Sequence, residues 1–230
     1  MPYKTITRSQ ADEIIARHGW LSTEGADFRQ EVLQRAQLIR VGARQIVYRF
    51  GGELGGLYGL VRGVIAVGAS PPDSAPRLTM IGAIGNWTGE GCFLTGEPRR
   101  LELRTVSYCL LMHLPLHQME EMAKNDPNAI RAFARLLMAN VDELLHVIHV
   151  LQYADPARRI AAMLLRAGSR IGERPLALSQ ASIGEMSNTS RKQVNAALAR
   201  FAEAGWLKHS YSAVTILDAA RLHEFAAGDV

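Results

Sequence analysis

The chain has 230 residues, 48% hydrophobic and 21% charged, with a formal net charge of +4 and a sequence pI near 9.3. That is the make-up of an ordinary soluble globular protein with one large domain or two small ones, and its mild basicity admits a nucleic-acid partner without demanding one. The opening MPYKTITRSQADE lacks the apolar stretch of a signal peptide and no run approaches bilayer length, so no membrane partner and a cytoplasmic location are expected.

Residues from Arg8 to about Gln37 have a helical pattern, interrupted by Gly19 and Gly25 around Trp20 and Leu21. From Leu38 to Leu114 the pattern changes to short apolar runs (QIVYRF, LYGLV, VIAVG, LTMIGAIG, VSYCLLMHL) separated by glycine, proline and charged turns. Many short strands at this spacing predict a jelly roll or small barrel. The two cysteines, Cys92 and Cys109, fall in this region with no CxxC pair and no zinc spacing, and are read as structural thiols of a reduced protein.

A long helix is expected next, with Asp126 as its N-cap and Pro127 at its first position, where a missing N–H costs nothing. Ile130, Phe133, Leu137, Val141, Leu144, Ile148 and Leu151 recur along it at spacings of three and four. Such a stripe serves either as packing against the helix's own domain or as a two-stranded dimer seam. Asp142, His146 and His149 have helical spacing for metal ligation, but two histidines without cysteines are more often surface or seam residues, and no metal is assigned. Asp155 and Pro156 repeat the cap-then-proline signal and mark a domain boundary.

The last segment is helical and then briefly β. DPARRIAAMLLRAGSRI is one amphipathic helix, Ser179 caps a second, SQASIGEM, and Ser190 caps a third, with Ser190 and Gln193 in capping-box spacing. The tight turn Ser187-Asn188-Thr189 separates the second from the third. WLKHS and AVTIL then make a hairpin around Ser210 to Ser212, and DAARLHEFAA is a terminal helix. Two short helices joined by such a turn and followed by a hairpin are a winged helix-turn-helix.

The third helix puts Val194, Ala197, Leu198 and Phe201 on one face and Lys192, Asn195, Ala196 and Ala199 opposite, with Arg191 on the flank. Cations at the start of a helix oppose its dipole unless an anion compensates them. Arginine and lysine suit guanine edges, asparagine suits adenine, and small alanines let a helix sink into the major groove. Ser179 and Gln180 at the start of the second helix, Ser190 at the start of the third and Lys208 on the hairpin complete the residues expected to meet DNA.

On these residues the chain resembles the CRP/FNR family of bacterial transcription regulators. LSQASIGEMSNTSRKQVNAALARFAEAGWLKHSYSAVTILD is similar to the family's winged helix-turn-helix, with Ser190, Arg191 and Val194 matching its S-R-x-x-V core. GARQIVYRFGG and GLYGLVRGVIAV resemble its cyclic-nucleotide-binding-type β-roll, and the apolar stripe lies where the family has its dimerisation helix. The resemblance covers nearly the whole chain. It implies an α+β fold: an effector domain over residues 1–124, a jelly-roll-like β-roll with flanking helices; a dimerisation helix and hinge over 125–154; and a DNA-binding domain over 155–230. It also implies a homodimer on a palindromic double-stranded operator, with RNA polymerase open as a further partner.

In the family's cAMP-binding members a G-E pair, then about ten residues, then R-S-A cradle the phosphate and ribose. Gly89 and Glu90 match the pair in TGEGCFLTGEPRRLELRT, and Arg99 or Arg100 stands for the arginine. The serine and alanine are replaced by Leu101 and Glu102, and the helix positions that offer hydroxyls to the base hold Leu144 and Leu145. A buried base edge would then lose partners at roughly 1–3 kcal/mol each. cAMP in its usual mode is therefore not expected, the effector is unknown, and Glu90 with either arginine is alternatively an internal ion pair. Many cAMP-responsive members also carry arginine, glutamate and, four positions on, a second arginine that read a TGTGA-like half-site. Arg191 keeps the first, Lys192 replaces the glutamate, and Ala196 stands in place of the last. No catalytic residue is assigned. A cupin-type enzyme, the rival reading, needs histidines and carboxylates inside the barrel, and the β region offers only His113 near its end.

Overall fold

The computed structural model describes residues 6–70, 74–168, 175–210 and 212–228. The chain divides into two compact units. The first comprises Met1–Pro76 with Gly82–Asp142, and the second Arg77–Ile81 with Glu143–Val230.

The first unit begins with three helices, α1 (Arg8–Arg17), α2 (Trp20–Thr23) and α3 (Ala26–Arg35). The broken helical pattern around Gly19 and Gly25 is the break between them. Strands β1 (Gln37–Val41), β2 (Ile46–Tyr48), β3 (Leu57–Arg62), β4 (Ile65–Ala69), β5 (Arg77–Gly82) and β6 (Trp87–Thr88) follow in the chain, then the short helix α4 (Glu90–Thr95) and strands β7 (Leu101–Thr105) and β8 (Cys109–Leu114); of β5, Arg77–Ile81 belong to the second unit. One antiparallel sheet has the order β1-β8-β3-β6, and the other contains β2, β7 and β4 side by side. Leu57 pairs with Leu114, and Ile65 with Thr105. The central strand β8, CLLMHL, is buried almost throughout, as a strand flanked on both edges and covered on its faces must be. Strands β1, β6 and β7 and helix α5 (Leu116–Asn125) are elements the sequence pattern does not single out.

The helices cover the outer face of the first sheet. Ile15, Leu21, Val32, Leu57, Trp87, Met112, Leu114, Met119, Phe133 and Leu136 belong to one apolar core. Trp20 meets Trp87 and Phe28 edge-on, and its indole N–H donates to the Ala132 carbonyl at 3.0 Å. Glu24, buried beneath this layer, accepts from the Nε of Arg135 at 2.9 Å.

Helix α6 (Asn128–Leu151) starts one residue later than the sequence suggests, after Pro127, and the Asp126 carboxylate accepts from the Asn128 amide at 2.9 Å. Its apolar stripe also needs a correction. Phe133 is fully buried in the first unit's core with Ala129, Ala132 and Leu136, whereas Ile130, Met138, Leu145 and Ile148 are 45–57% exposed. One helix thus carries two apolar faces, one packed inside the chain and one turned outward.

The second unit contains the end of α6, α7 (Pro156–Gly168), α8 (Gln180–Ser187), α9 (Arg191–Glu203), the hairpin β9 (Leu207–His209) and β10 (Val214–Ile216), and α10 (Ala219–Ala227). The SRI at the end of the expected first helix lies outside the described residues, as does Tyr211 in the hairpin turn. Val147, Ile160, Leu164, Leu178, Ile183, Val194, Leu198, Phe201, Leu207 and Phe225 form its core. Among the described residues no helix is long and apolar enough to cross a membrane.

Candidate nucleic-acid interface and the polar interior of the roll

The helix-turn-helix is built by local hydrogen bonds that its own residues supply. Ser179 accepts from the Ser182 amide at 3.1 Å and starts α8. Asn188 then takes a left-handed conformation (φ 48°, ψ 54°) that ends the helix, one that asparagine tolerates better than most residues. The Thr189 amide donates to the Gly184 carbonyl at 2.9 Å, and a Cβ on Gly184 would lie 2.9 Å from the Thr189 oxygen, so only glycine lets the turn fold back this closely. Arg159 of α7 donates to the Ser187 carbonyl at 2.9 Å and ties the turn to the core.

Helix α9 opens with the expected capping box. The Gln193 amide donates to the Ser190 hydroxyl at 3.3 Å, and the Ser190 amide to the Gln193 side chain at 2.8 Å. Val194, Ala197, Leu198 and Phe201 are buried, and Phe201 sits between Trp206 and Phe225. Arg191, Lys192, Asn195, Ala196 and Ala199 are exposed, with no acid in the first turn. Of the other expected contacts, Ser190 is exposed and Ser179 and Gln180 are half-buried. In the hairpin Lys208 is exposed opposite Thr215, and the Ser210 amide closes the turn onto the Ala213 carbonyl at 2.8 Å. A cationic, small-residue face is thus fixed from behind by an apolar core.

The residues expected to hold an effector are found inside the roll. Gly89, with φ of 113°, caps α4, and a Cβ there would come within 2.5 Å of the Arg99 guanidinium. Arg99 is buried and Arg100 exposed, so the arginine the sequence left open is Arg99 by position. Its guanidinium donates to the carbonyls of Gly56 at 2.9 Å and Gly89 at 3.2 Å and lies 4.3 Å from the centre of the Tyr48 ring. Glu90 is 5% exposed and does not form the expected ion pair with either arginine; its Oε1 accepts from the Asn140 amide of α6 at 2.9 Å, and Asn140 also donates to the Trp87 carbonyl at 3.1 Å. Glu90 Oε2 and Trp87 Nε1 are buried without a protein partner.

Electrostatics follow from this burial. Desolvation pushes the Glu90 carboxyl up, opposed by the Asn140 hydrogen bond, by backbone amides at Glu90 and Gly89, and by the charge of Arg99. Burial raises the Tyr48 phenol, whose oxygen lies 3.0 Å from that of Thr88. His113, stacked 4.5 Å from Tyr58, is held below its ordinary value by burial and then by the charges of Arg99 and His117. Tyr48, Thr88 and Asn140 are members of this polar interior that sequence reasoning missed, and His113, noted there only as the β region's histidine, joins them; no spacing signal links the four.

On α6, Leu144 is half-buried and Leu145 is 57% exposed. His149 contacts the Tyr153 ring, and among the described residues no three His, Cys, Asp or Glu side chains are grouped to hold a metal. Cys92 and Cys109 are free and buried, and Cys109 donates to the Val64 carbonyl.

Residues 158–225 match the family model of the Crp-like helix-turn-helix domain. Over 218 residues the chain is 24% identical to a CRP-like cAMP-activated global transcriptional regulator of Mycobacterium tuberculosis, covering 92% of this chain and 97% of that one. Among solved structures it is similar to the c-di-GMP responsive global regulator CLP of Xanthomonas campestris, with a TM-score of 0.66 and 20% identity over 84% of this chain and 99% of that one. It is also similar to a CRP-family transcriptional regulator of Thermus thermophilus, with a TM-score of 0.67 and 24% identity over 83% and 96% of the two chains.

Proposed function

We propose that the protein is a homodimeric, sequence-specific DNA-binding transcription regulator of the CRP/FNR type rather than an enzyme, a reading supported by its match to the Crp-like helix-turn-helix domain and by the CRP-like regulator it is similar to. The observation that carries this reading is the face of α9: Arg191, Lys192 and Asn195 stand in solvent while Val194, Leu198 and Phe201 anchor the same helix. Side chains of those types, on a helix free to enter the major groove, are the tools of base readout. Ser179, Gln180, Ser190 and Lys208 add contacts to the backbone, and Ala196 leaves room for close approach.

The outward face of α6, running through Ile130, Leu137, Met138, Val141, Leu144, Leu145 and Ile148, is the dimer seam. Apolar residues at this spacing and exposure are costly to leave in water along a whole helix. Two copies joined there place two recognition helices on adjacent major grooves about 34 Å apart, which makes the operator a palindrome. Each protomer comprises an effector domain over 1–124, a dimer helix and hinge over 125–154, and a DNA-binding domain over 155–230. The protein works in the cytoplasm, with RNA polymerase open as a further partner at promoters.

The roll is a small-molecule sensor, supported by the unpartnered Glu90 Oε2 and Trp87 Nε1 in its interior. Its effector is not cAMP in the usual mode. Arg99 already serves two carbonyls, the serine position after it holds Arg100, and Leu144 and Leu145 offer no hydroxyl to a base. The Mycobacterium relative is cAMP-activated and the Xanthomonas one c-di-GMP responsive, so the nucleotide is not constant among similar chains.

Selection of binding sites from random double-stranded DNA tests the central claim. The expected product is a palindrome that keeps one guanine per half-site for Arg191 and departs from TGTGA where Lys192 replaces the family's glutamate and Ala196 its second arginine, with Asn195, one position earlier, favouring adenine. Recovery of no sequence refutes it, and recovery of TGTGA itself shows that Lys192 does not redirect recognition. Light scattering tests the seam: Leu137→Glu yields monomers, and an unchanged dimer mass removes α6 from the interface.

A further inference from the structure

The segment Arg77–Ile81 is the one stretch of the first half of the chain that groups with the second compact unit, although Pro76 and Gly82 on either side belong to the first. Leu78, Met80 and Ile81 pack against the core that supports the helix-turn-helix. The Leu78 amide donates to the Glu185 carboxylate of α8 at 2.6 Å, a short charge-assisted bond that pins the strand to the first helix of the motif. Arg77 is the residue just before this pin, and it is exposed.

Arg77 lines a cavity of about 520 Å³ together with Gln180, Thr189, Ser190 and Arg191. The acid in that lining, Glu185, is engaged by the Leu78 amide. Among the described residues neither Arg77 nor Arg191 has an ion-pair partner. Two guanidinium groups without an ion-pair partner border one cavity against a single carboxylate, and an anion there would meet both. Guanidinium groups match phosphate oxygens in geometry as well as charge.

We propose that Arg77 contacts a backbone phosphate of bound DNA, so that a strand from outside the helix-turn-helix contributes to the nucleic-acid interface. The inference rests on the DNA-binding reading above and extends it. The phosphate would lie across the corner formed by Gln180, Ser190 and Arg191, with Arg191 turned to the base edge and Arg77 to the backbone. Contacts of this kind fix position and affinity and carry no sequence information. Arg77 is therefore an affinity residue, unlike Arg191.

The experiment is a salt series. Fluorescence anisotropy measures binding of the full-length protein to its selected operator and to a scrambled duplex between about 50 and 200 mM salt. For each protomer bound, Arg77→Ala should flatten the log–log slope by about 0.9, which makes the loss of affinity across that range about three- to four-fold smaller. Both duplexes should weaken by the same factor, and Arg77→Lys should restore the slope. Arg77→Gln keeps most of the side-chain length and separates loss of charge from loss of packing; it should behave like Arg77→Ala. An unchanged slope in both neutral variants overturns the proposal. Wild-type protein that binds neither duplex sinks the DNA-binding reading itself, a result distinct from a silent Arg77.

Discussion

Two sets of polar side chains in this chain sit in opposite surroundings. On α9, Arg191, Lys192 and Asn195 stand in solvent on a helix fixed from the other side. Inside the roll, Glu90 and Arg99 are 5% and 4% exposed and are held by groups from Gly56, Gly89 and Asn140. A side chain placed in solvent by a rigid helix changes without disturbing the fold, so reading can diverge while stability stays constant. A buried charge must be satisfied by partners from several strands, so any change of effector chemistry is also a change of stability.

The contrast is tested hardest where α9 meets its core. Phe201 is fully buried between Trp206 and Phe225. Phe201→Ala should cost about 3–5 kcal/mol of stability, read by calorimetry, because a cavity of ring size is left behind. A variant that melts like the wild type would mean that the reading face is not held from behind.

The next effect belongs to the interior. Asn140→Leu removes the donor to Glu90 Oε1 and to the Trp87 carbonyl and leaves a buried carboxylate with less compensation. Urea unfolding should show a loss of about 1–3 kcal/mol for each group left unsatisfied. No loss would show that Glu90 is satisfied without α6. The surface counterpart is Arg191→Ala. It should cost about 1–3 kcal/mol of operator binding and relax one base pair, while stability stays within about 0.5 kcal/mol. A large stability loss there would erase the distinction between the two regions.

The same distinction explains what the sequence discloses. The start of α9 is written within four residues, Ser190 to Gln193, and its core face follows a period that needs no distant partner. The hairpin and α10 are equally local. The interior joins Tyr48, Thr88, Glu90, Arg99 and Asn140, and only the strand order and the packing of α6 bring them together. Arg99 and Arg100 are neighbours just before β7, one buried and one exposed, and composition alone does not say which is inside. Phe133 and Ile130 both fit a helical stripe, yet one faces the core and the other water, because α6 has two apolar faces and the pattern does not tell them apart. The segment LHQMEEMAKN of α5 buries only Met119 and Met122, too thin a signal to be found next to Pro115. Strand β7, LELRT, alternates apolar and charged residues over five positions beside the Arg99–Arg100 pair and is equally brief.

The smallest effect is the most specific to the interior, because it follows from the sign of one titration. Burial raises the Glu90 carboxyl above the ordinary carboxylate range, and its hydrogen bonds and Arg99 only partly oppose this. A group whose folded value lies above its unfolded value binds its proton more tightly in the native state. Its contribution to stability is full below the unfolded value and is lost as pH rises through the folded one. Glu90 should therefore make the fold less stable from mildly acid conditions toward neutrality. Glu90→Gln, which stays neutral and keeps a hydrogen-bonding oxygen for Asn140, should remove that segment of the profile and melt higher than the wild type at neutral pH. His113 acts in the opposite direction: its folded value is lowered, so its contribution is lost as pH falls through its ordinary range near 6.5. His113→Gln in the Glu90→Gln background separates the two contributions. Melting temperatures measured across this range for wild type and both variants decide the point. If Glu90→Gln tracks the wild type at every pH, the carboxylate is as well solvated inside the roll as in the unfolded chain, and the interior is no more constrained than the surface of α9.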